Sequence, residues 1–376
     1  VATLGTTSKP AYVYDTETDT WVPIGVGAHT HTLTAADVSG VVAQSNYFAA
    51  GKNKIINGNF AINQRGFSST TTAGAYMFDR FVNYIADGTV TLSAQTFTLG
   101  TAPVSGYEAK SFLQIVSSGQ TAASAAAIII HKVEGVRTFA GEATTFSFWA
   151  KAASGTPKVA IEVSQNFGNT GGSAVVNTYG GQVTLSTSWA RYSVTVNVPS
   201  IAGKTIGTSG DDNVQVAIWT SSGSDFNSRT GSLGIQSTTV QTWGWQWEAG
   251  SIMTAFQTAT GNPASELAAC QRYYWRATAT GQVAVGTGAT ESSTTAWIVI
   301  NNPTTMRVAP TSVEYATLTV SDSYSYTVDV TAVSGIQFSP VAGRVTFTVA
   351  SGLTQGRVAI GQTKSTGGYI GFSAEL

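Results

Sequence analysis

Between residues 54 and 256 the chain alternates apolar and polar side chains in short runs, and clusters of Gly, Ser, Thr and Asn interrupt those runs every eight to twelve residues. Successive side chains of an extended strand point to opposite faces, so such a run hides its apolar face only by packing on another sheet. The clearest runs are TTFSFWAKA (Thr144 to Ala152), PKVAIEVSQ (Pro157 to Gln165), RYSVTVNVP (Arg191 to Pro199) and NVQVAIWTS (Asn213 to Ser221). Their spacing predicts an antiparallel sandwich or barrel. In QTWGWQWEAG, Trp243, Trp245 and Trp247 alternate with Gly244, Gln246 and Glu248, which predicts three indoles on one face. Such a ladder can stack on sugar rings, but three large apolar residues on one side of a strand read first as core.

The flanks differ from this middle part. Tyr12, Val13 and Tyr14, a polar stretch from Asp15 to Thr20, then Trp21 and Val22 predict a β-hairpin. Thr34, with Asp37 three residues on, has the form of a capping box before one or two helical turns that Gly40 ends. This region holds too few apolar residues for its own core and is expected to fold against a partner or copies of itself. NPASELAACQRYYWR, from Asn262 to Arg276, breaks the strand rhythm: Pro263 beside Asn262 predicts a short helix through Cys270 that joins two β units. At its end Tyr273 and Trp275 alternate with Tyr274, so one of the two sets is expected to be interior. Beyond it TAWIVINNP, EYATLTV, YSYTVDV, RVTFTVA and GYIGFSAEL suffice for a second, smaller sandwich of about 100 residues. No unit of about 20 to 50 residues recurs, which argues against a solenoid or propeller.

Charged residues make up only 10% of the chain, against roughly 25% in ordinary globular proteins, and the net charge is −1. Small hydroxyl residues and glycine take the place of charge, which suits sheets and surfaces that neighbours cover. No cluster of Lys or Arg offers a footprint for nucleic acid or an anionic membrane, so neither partner is expected. Cys270 is the one cysteine and closes no disulfide within the chain. The longest apolar run, SAAAIIIHKV from Ser124 to Val133, is far too short to span a bilayer, and no secretory segment is expected near the start.

No catalytic set is legible. His131 ends an apolar run without a nucleophile or acid at a recognisable spacing and reads as structural. Asp79, Glu142, Glu162, Asp211 and Asp212 are scattered, whereas glycoside hydrolysis needs two carboxyl groups facing each other. Asp211 and Asp212 in GTSGDDN read as a polar loop, or as a weak calcium loop. FGNTGGS (Phe167 to Ser173) lacks the Gly-Lys-Ser/Thr ending of a phosphate cradle. The chain is therefore expected not to be an enzyme.

Of the three histidines, His29 and His31 sit one residue apart in GVGAHTHTLT. In an extended segment both rings lie on one edge, about 6.6 to 6.8 Å apart. Three parallel copies on a threefold axis would gather six imidazole nitrogens, a set that suits an octahedral transition metal such as iron or nickel. The alternative is that both rings hydrogen-bond to threonines or backbone of a neighbouring chain, or face solvent.

NKIINGNFAINQRG (Asn53 to Gly66), followed by YMFDRF (Tyr76 to Phe81), resembles the opening of the carbohydrate-binding-like jelly-roll modules in tail fibres of tailed bacteriophages. Further blocks keep that order: FSFWAKA from Phe146, SQNFGNTGGS from Ser164, LSTSWARYSVTVNVPS from Leu185, GKTIG from Gly203 and WQWEAGSIMTAF from Trp245. SELAACQRYYWR from Ser265, PTTMRVAPTSV from Pro303 and the final GYIGFSAEL follow. HTHTLTAADVSG is similar to the collar elements that join fibre shafts to distal modules, while Trp247 and Glu248 replace the usual acidic-Leu-Glu pattern.

The resemblance implies a homotrimeric virion fibre or spike, assembled in the host cytoplasm. It would touch host cell-surface polysaccharide through β-sandwich modules and other virion proteins through its N-terminal segment. It implies an all-β chain in three parts: an N-terminal attachment and trimerisation segment over 1–51, a jelly-roll β-sandwich over 52–260 and a smaller C-terminal β-sandwich over 261–376. Sugar contacts are expected among aromatic and amide side chains that flank loops, namely Trp149, Gln165, Asn166, Tyr192 and Trp219. Two other readings stay open: a structural head-attached fibre, decoration or adaptor protein without receptor binding, and a glycan-degrading spike.

Overall fold

A computed structural model of the chain describes residues 12–15, 19–23, 51–323 and 326–376. His29, His31 and the Thr34/Asp37 pair lie outside the described residues. The chain divides into two compact units, Val1–Phe48 and Ala49–Leu376. In the first, β1 (Tyr12–Asp15) and β2 (Thr20–Pro23) form the expected hairpin, with Tyr14 opposite Trp21.

The alternating runs of the second unit form two antiparallel sheets. One has the order β10 (Val176–Thr184), β9 (Lys158–Asn166), β12 (Asn213–Ser222), β7 (Ala126–Glu134), β4 (Phe81–Ala86). The other has the order β11 (Ala190–Asn197), β8 (Ala143–Ala152), β13 (Thr238–Ala249), β6 (Ser111–Ser118), β5 (Thr89–Thr96), β3 (Ser69–Thr70). Ile129, Val159, Ile161, Val214, Val216 and Ile218 of the five-stranded sheet pack on Leu113, Ile115, Phe146, Phe148 and Val240 of the six-stranded one. The all-β sandwich that the period of two allows is thus present, in the jelly-roll form that the resemblance implies.

The tryptophan ladder departs from expectation. All three indoles are fully buried, which supports the core reading, but they do not share a face. Trp243 lies opposite Trp149 and Gln246 opposite Ser147, so β13 carries one residue more than β8 between these pairs. Gly244 takes up the extra residue at a φ of 65°. This bulge reverses the side-chain parity. Trp245 then points between the sheets against Phe81 (5.2 Å) and Phe146 (5.1 Å). Trp243 instead stacks on the outside of the six-stranded sheet with Trp149 (5.3 Å), Tyr107 (5.6 Å) and Phe256 (5.1 Å).

The C-terminal part is all-β as expected, but its main sheet closes on itself. β15 (Ala284–Thr290), β16 (Thr295–Asn301), β20 (Ala342–Val349), β19 (Tyr326–Phe338), β18 (Leu318–Ser323) and β21 (Val358–Thr363) form a six-stranded barrel where a second sandwich was expected. β21 pairs with both β15 and β18, so the sheet has no free edge. Ile298, Val320, Val345, Phe347 and Ala359 fill the interior. A strand alternates with the same period in either architecture, which is why spacing alone does not separate them.

The predicted connector is a helix, Pro263–Gln271, with Asn262 as N-cap accepting the Ser265 amide at 2.9 Å. After it a three-stranded sheet, β14 (Tyr274–Thr278), β22 (Tyr369–Ser373) and β17 (Ser312–Ala316), lies beside the barrel. Tyr273 and Tyr274 are both buried, contrary to simple alternation, because Arg80 stacks on the Tyr273 ring and Arg65 on the Tyr274 ring, each at 3.4 Å. Glu375, just beyond β22, pairs with both of these sandwich arginines.

His131 is structural, as expected: it is fully buried, bonds through Nε2 to the Ile56 carbonyl (3.1 Å) and meets Phe81 edge-on. Burial, aided by the nearby Arg80 charge, holds its pKa well below the ordinary 6.5. The folded state therefore binds this proton less readily than the unfolded chain. The stability is complete above 6.5 and is lost below it at up to about 1.4 kcal/mol per pH unit. Urea midpoints taken between neutral and mildly acidic pH should show a shallower slope for His131→Leu than for the wild type; parallel slopes would contradict this assignment. At Gly244 a Cβ would sit 2.7 Å from the Trp149 ring in a left-handed backbone. Gly244→Ala is expected to cost about 2 kcal/mol or more in chemical denaturation.

Candidate functional site

The outside of the six-stranded sheet is closed by aromatic side chains, whereas the outside of the five-stranded sheet carries a groove of about 450 Å³. Strand register builds this face. Ala160, Glu162 and Ser164 of β9 point away from the core that Val159, Ile161 and Val163 enter. Across the sheet, Asn177, Ser164 and Gln215 form one row. Glu162, Ala217 and Ile130 form the next, and Trp219, Ile128 and Tyr84 the third. The groove crosses these rows diagonally, with amide and hydroxyl groups at the β10 side and Ile128, Ile130 and the 46% exposed Tyr84 at the β4 side.

Its floor is centred on a buried carboxylate. Glu162 Oε1 accepts from Arg229 Nε at 2.6 Å, and Oε2 accepts from Arg229 Nη2 at 3.0 Å and from Trp219 Nε1 at 2.9 Å. The guanidinium also lies over the rings of Trp219 and Phe226, which are themselves 4.9 Å apart. A charge this deep in a β face is tolerated because every strong acceptor site has a donor. Arg229 is presented by a single helical turn, Asn227–Thr230, that Gly231 ends at a φ of 63°. The Tyr179 ring packs directly on Gly231, where a Cβ would come within 2.4 Å.

The groove holds further polar capacity. Ser164 Oγ donates to Asn177 Oδ1 at 2.8 Å, leaving the Asn177 amide hydrogens available, and Gln215 makes no side-chain hydrogen bond among the described residues. Among the described residues Glu162 is the single carboxylate in the lining.

Of the residues expected to touch sugar, none lines this groove. Trp149 is buried on the other sheet between Trp243 and Arg191. Tyr192 lies on that same sheet, directed toward Phe148, and its hydroxyl accepts the Ser186 amide at 2.9 Å. Gln165 is 1% exposed and donates to the Pro199 carbonyl, and Asn166 turns its own loop by accepting the Gly168 amide. Trp219 comes nearest: fully buried, it supports the groove from beneath Phe226 and Arg229. These placements have three causes: Gln165 and Tyr192 lie on inward-facing strand positions, Asn166 satisfies backbone, and Trp149 and Trp219 lie on outer faces but are covered by Arg191 and Trp243 and by Arg229 and Phe226.

The acidic candidates do not converge. Asp79 is buried, with its carboxyl pKa raised by burial, and holds the Gln64 amides. Asp211 accepts the Asn169 amide and Asp212 the Val136 amide, so the pair ties loops together as a polar loop does. Tyr84 escaped the sequence reading because FVNYIA is apolar on both parities, and Arg229 because a single helical turn leaves no period to detect.

Trp219→Phe removes one donor from a buried carboxylate while keeping the ring. A loss of about 1–3 kcal/mol is expected from denaturant unfolding; a loss under about 0.5 kcal/mol would show the indole bond to be dispensable.

No protein-family model matches the chain, and no curated protein matches it. Among solved structures it is similar to a CBM4 structure at 17% identity over 52% of this chain and 99% of that one, with a TM-score of 0.30. It is also similar to the CBM22-2 xylan-binding domain of Paenibacillus barcinonensis Xyn10C, at 13% identity over 46% and 92% of the two chains and a TM-score of 0.30. A third is the enzymatically active domain of bacteriophage CBA120 tailspike protein 4, at 12% identity over 53% of this chain and 21% of that one, again with a TM-score of 0.30.

Proposed function

We propose that this chain binds glycan through the outer groove of its five-stranded sheet. The observation that carries the reading is the groove itself: an exposed Tyr84 at one side, uncommitted amide groups of Gln215 and Asn177 at the other, and a rigid floor between them. A sugar ring has an apolar face and a rim of hydroxyls, and it needs both kinds of partner at once.

We further propose that the binding serves a virion fibre that adsorbs to host-surface polysaccharide as a homotrimer. The ordered sequence blocks that resemble phage tail-fibre modules and the low charge support this role. His29 and His31 would then meet their copies on the trimer axis, with or without a transition metal. A binding role fits the lining better than glycan cleavage, because hydrolysis with two carboxyl groups lacks its second member there.

Tyr84→Ala and Gln215→Ala should each weaken binding to the host glycan about tenfold, the size of one stacking or hydrogen-bond contact. Trp149→Phe, on the opposite sheet, should leave it unchanged. Binding of the labelled protein to host cells before and after periodate oxidation checks the adsorption role. Periodate-resistant binding, or full binding by Tyr84→Ala, would remove this assignment.

A further inference from the structure

The groove reaches from Asn177 on one edge strand to Tyr84 on the other, across all five strands of the sheet. At about 4.8 Å per strand spacing this is about 19 Å, room for several sugar rings in line. Over that length the lining holds two charges, Glu162 and Arg229, and they are bonded to each other. The side chain of Glu162 is 1% exposed and that of Arg229 33%, so the guanidinium is the part nearer solvent while its counter-charge lies beneath. The next cation along the face, Lys132 beside Gln215, bonds to the Leu376 backbone carbonyl oxygen and is not part of the groove lining.

We propose that Glu162 is a specificity-determining residue: by neutralising Arg229 from below, it restricts the groove to glycan chains that carry no carboxylate or sulfate. The proposal rests on the glycan-binding reading above. A polyanionic chain laid across the five strands would bring several charges out of water toward a site with no uncompensated cation. Neutral hydroxyls, by contrast, find an acceptor in Ser164 Oγ, donors in the Asn177 amide hydrogens and both in the Gln215 amide. The pair also fixes the Arg229 geometry, because Nε and Nη2 face the carboxylate while the guanidinium plane rests on Trp219 and Phe226.

The test uses the full chain and a panel of neutral glucans, galactans and mannans beside polygalacturonate and alginate. The neutral polysaccharide that binds is then compared with itself after oxidation of its primary hydroxyls to carboxylates. Wild-type protein should prefer the unoxidised chain by at least about tenfold, with little change between low and high salt. Glu162→Gln uncovers one positive charge: its preference should fall by about tenfold or reverse, and its binding to the oxidised chain should become salt-sensitive. Arg229→Met uncovers the opposite charge and should sharpen rejection of the oxidised chain, which keeps the test decisive if Glu162→Gln does not fold. Binding to polygalacturonate or alginate alone, or an unchanged preference in the folded variants, overturns the proposal and leaves glycan binding standing. Failure of the folded protein to bind any member of the panel, neutral or charged, instead overturns the glycan-binding reading on which the proposal rests.

Discussion

The Gly244 bulge decides which face of the sandwich stays open. With strict alternation, Trp243, Trp245 and Trp247 would all enter the space between the sheets. The extra residue sends Trp243 outward, where Trp149, Phe97, Tyr107 and Phe256 close over it. The outside of the six-stranded sheet thereby becomes a second aromatic layer. Among the described residues the five-stranded sheet has no such layer, and its outer face retains a groove over a much smaller apolar cluster of Ala126, Ile128, Ala160, Ala217 and Trp219.

That smaller cluster explains why the floor contains a charge. Four of its side chains would leave the face shallow and apolar, and a wholly exposed apolar face on an edge-bounded sheet invites association. Glu162, Arg229 and Trp219 instead fill the middle of the face with a network in which both carboxylate oxygens accept and the indole N–H is used. Pairing a largely buried carboxylate with a partly exposed guanidinium adds little net stability, since desolvation offsets most of the attraction. Its effect is geometric: the indole, the guanidinium and the Phe226 ring are held in one arrangement, and the single helical turn that carries Arg229 is tied to the sheet.

Much of the fold was legible because period-two runs have few alternatives. TTFSFWAKA, PKVAIEVSQ, RYSVTVNVP and NVQVAIWTS are β8, β9, β11 and β12, and Asn262 with Pro263 starts the predicted helix. What escaped depends on pairing between distant residues. The barrel closes through β21 meeting both β15 and β18, which no local pattern encodes. The parity change at Gly244 is visible only against β8, because a glycine in a strand can equally be a plain strand residue. The groove was less legible still. In the sequence Glu162 stands as an isolated acid, and its partner Arg229 lies 67 residues away in a loop-borne turn. Trp219, selected for its indole, belongs to the site only as support.

A groove of this kind favours modest affinity at each site. Its polar partners are few, the stacking surface is essentially one tyrosine, and a flexible polysaccharide must surrender conformational freedom to lie along it. Under the glycan-binding reading, useful attachment then comes from number rather than strength. In the homotrimer proposed above, copies joined on one axis would see a repeating polymer at high effective concentration, and a linked contact can raise overall avidity by about 10² to 10⁴. Weak single contacts also release quickly, so under the proposed fibre role a particle could move along a surface before it is held. A tight groove would forgo that search, so the proposed adsorption role is served by a groove with few polar partners and little stacking surface.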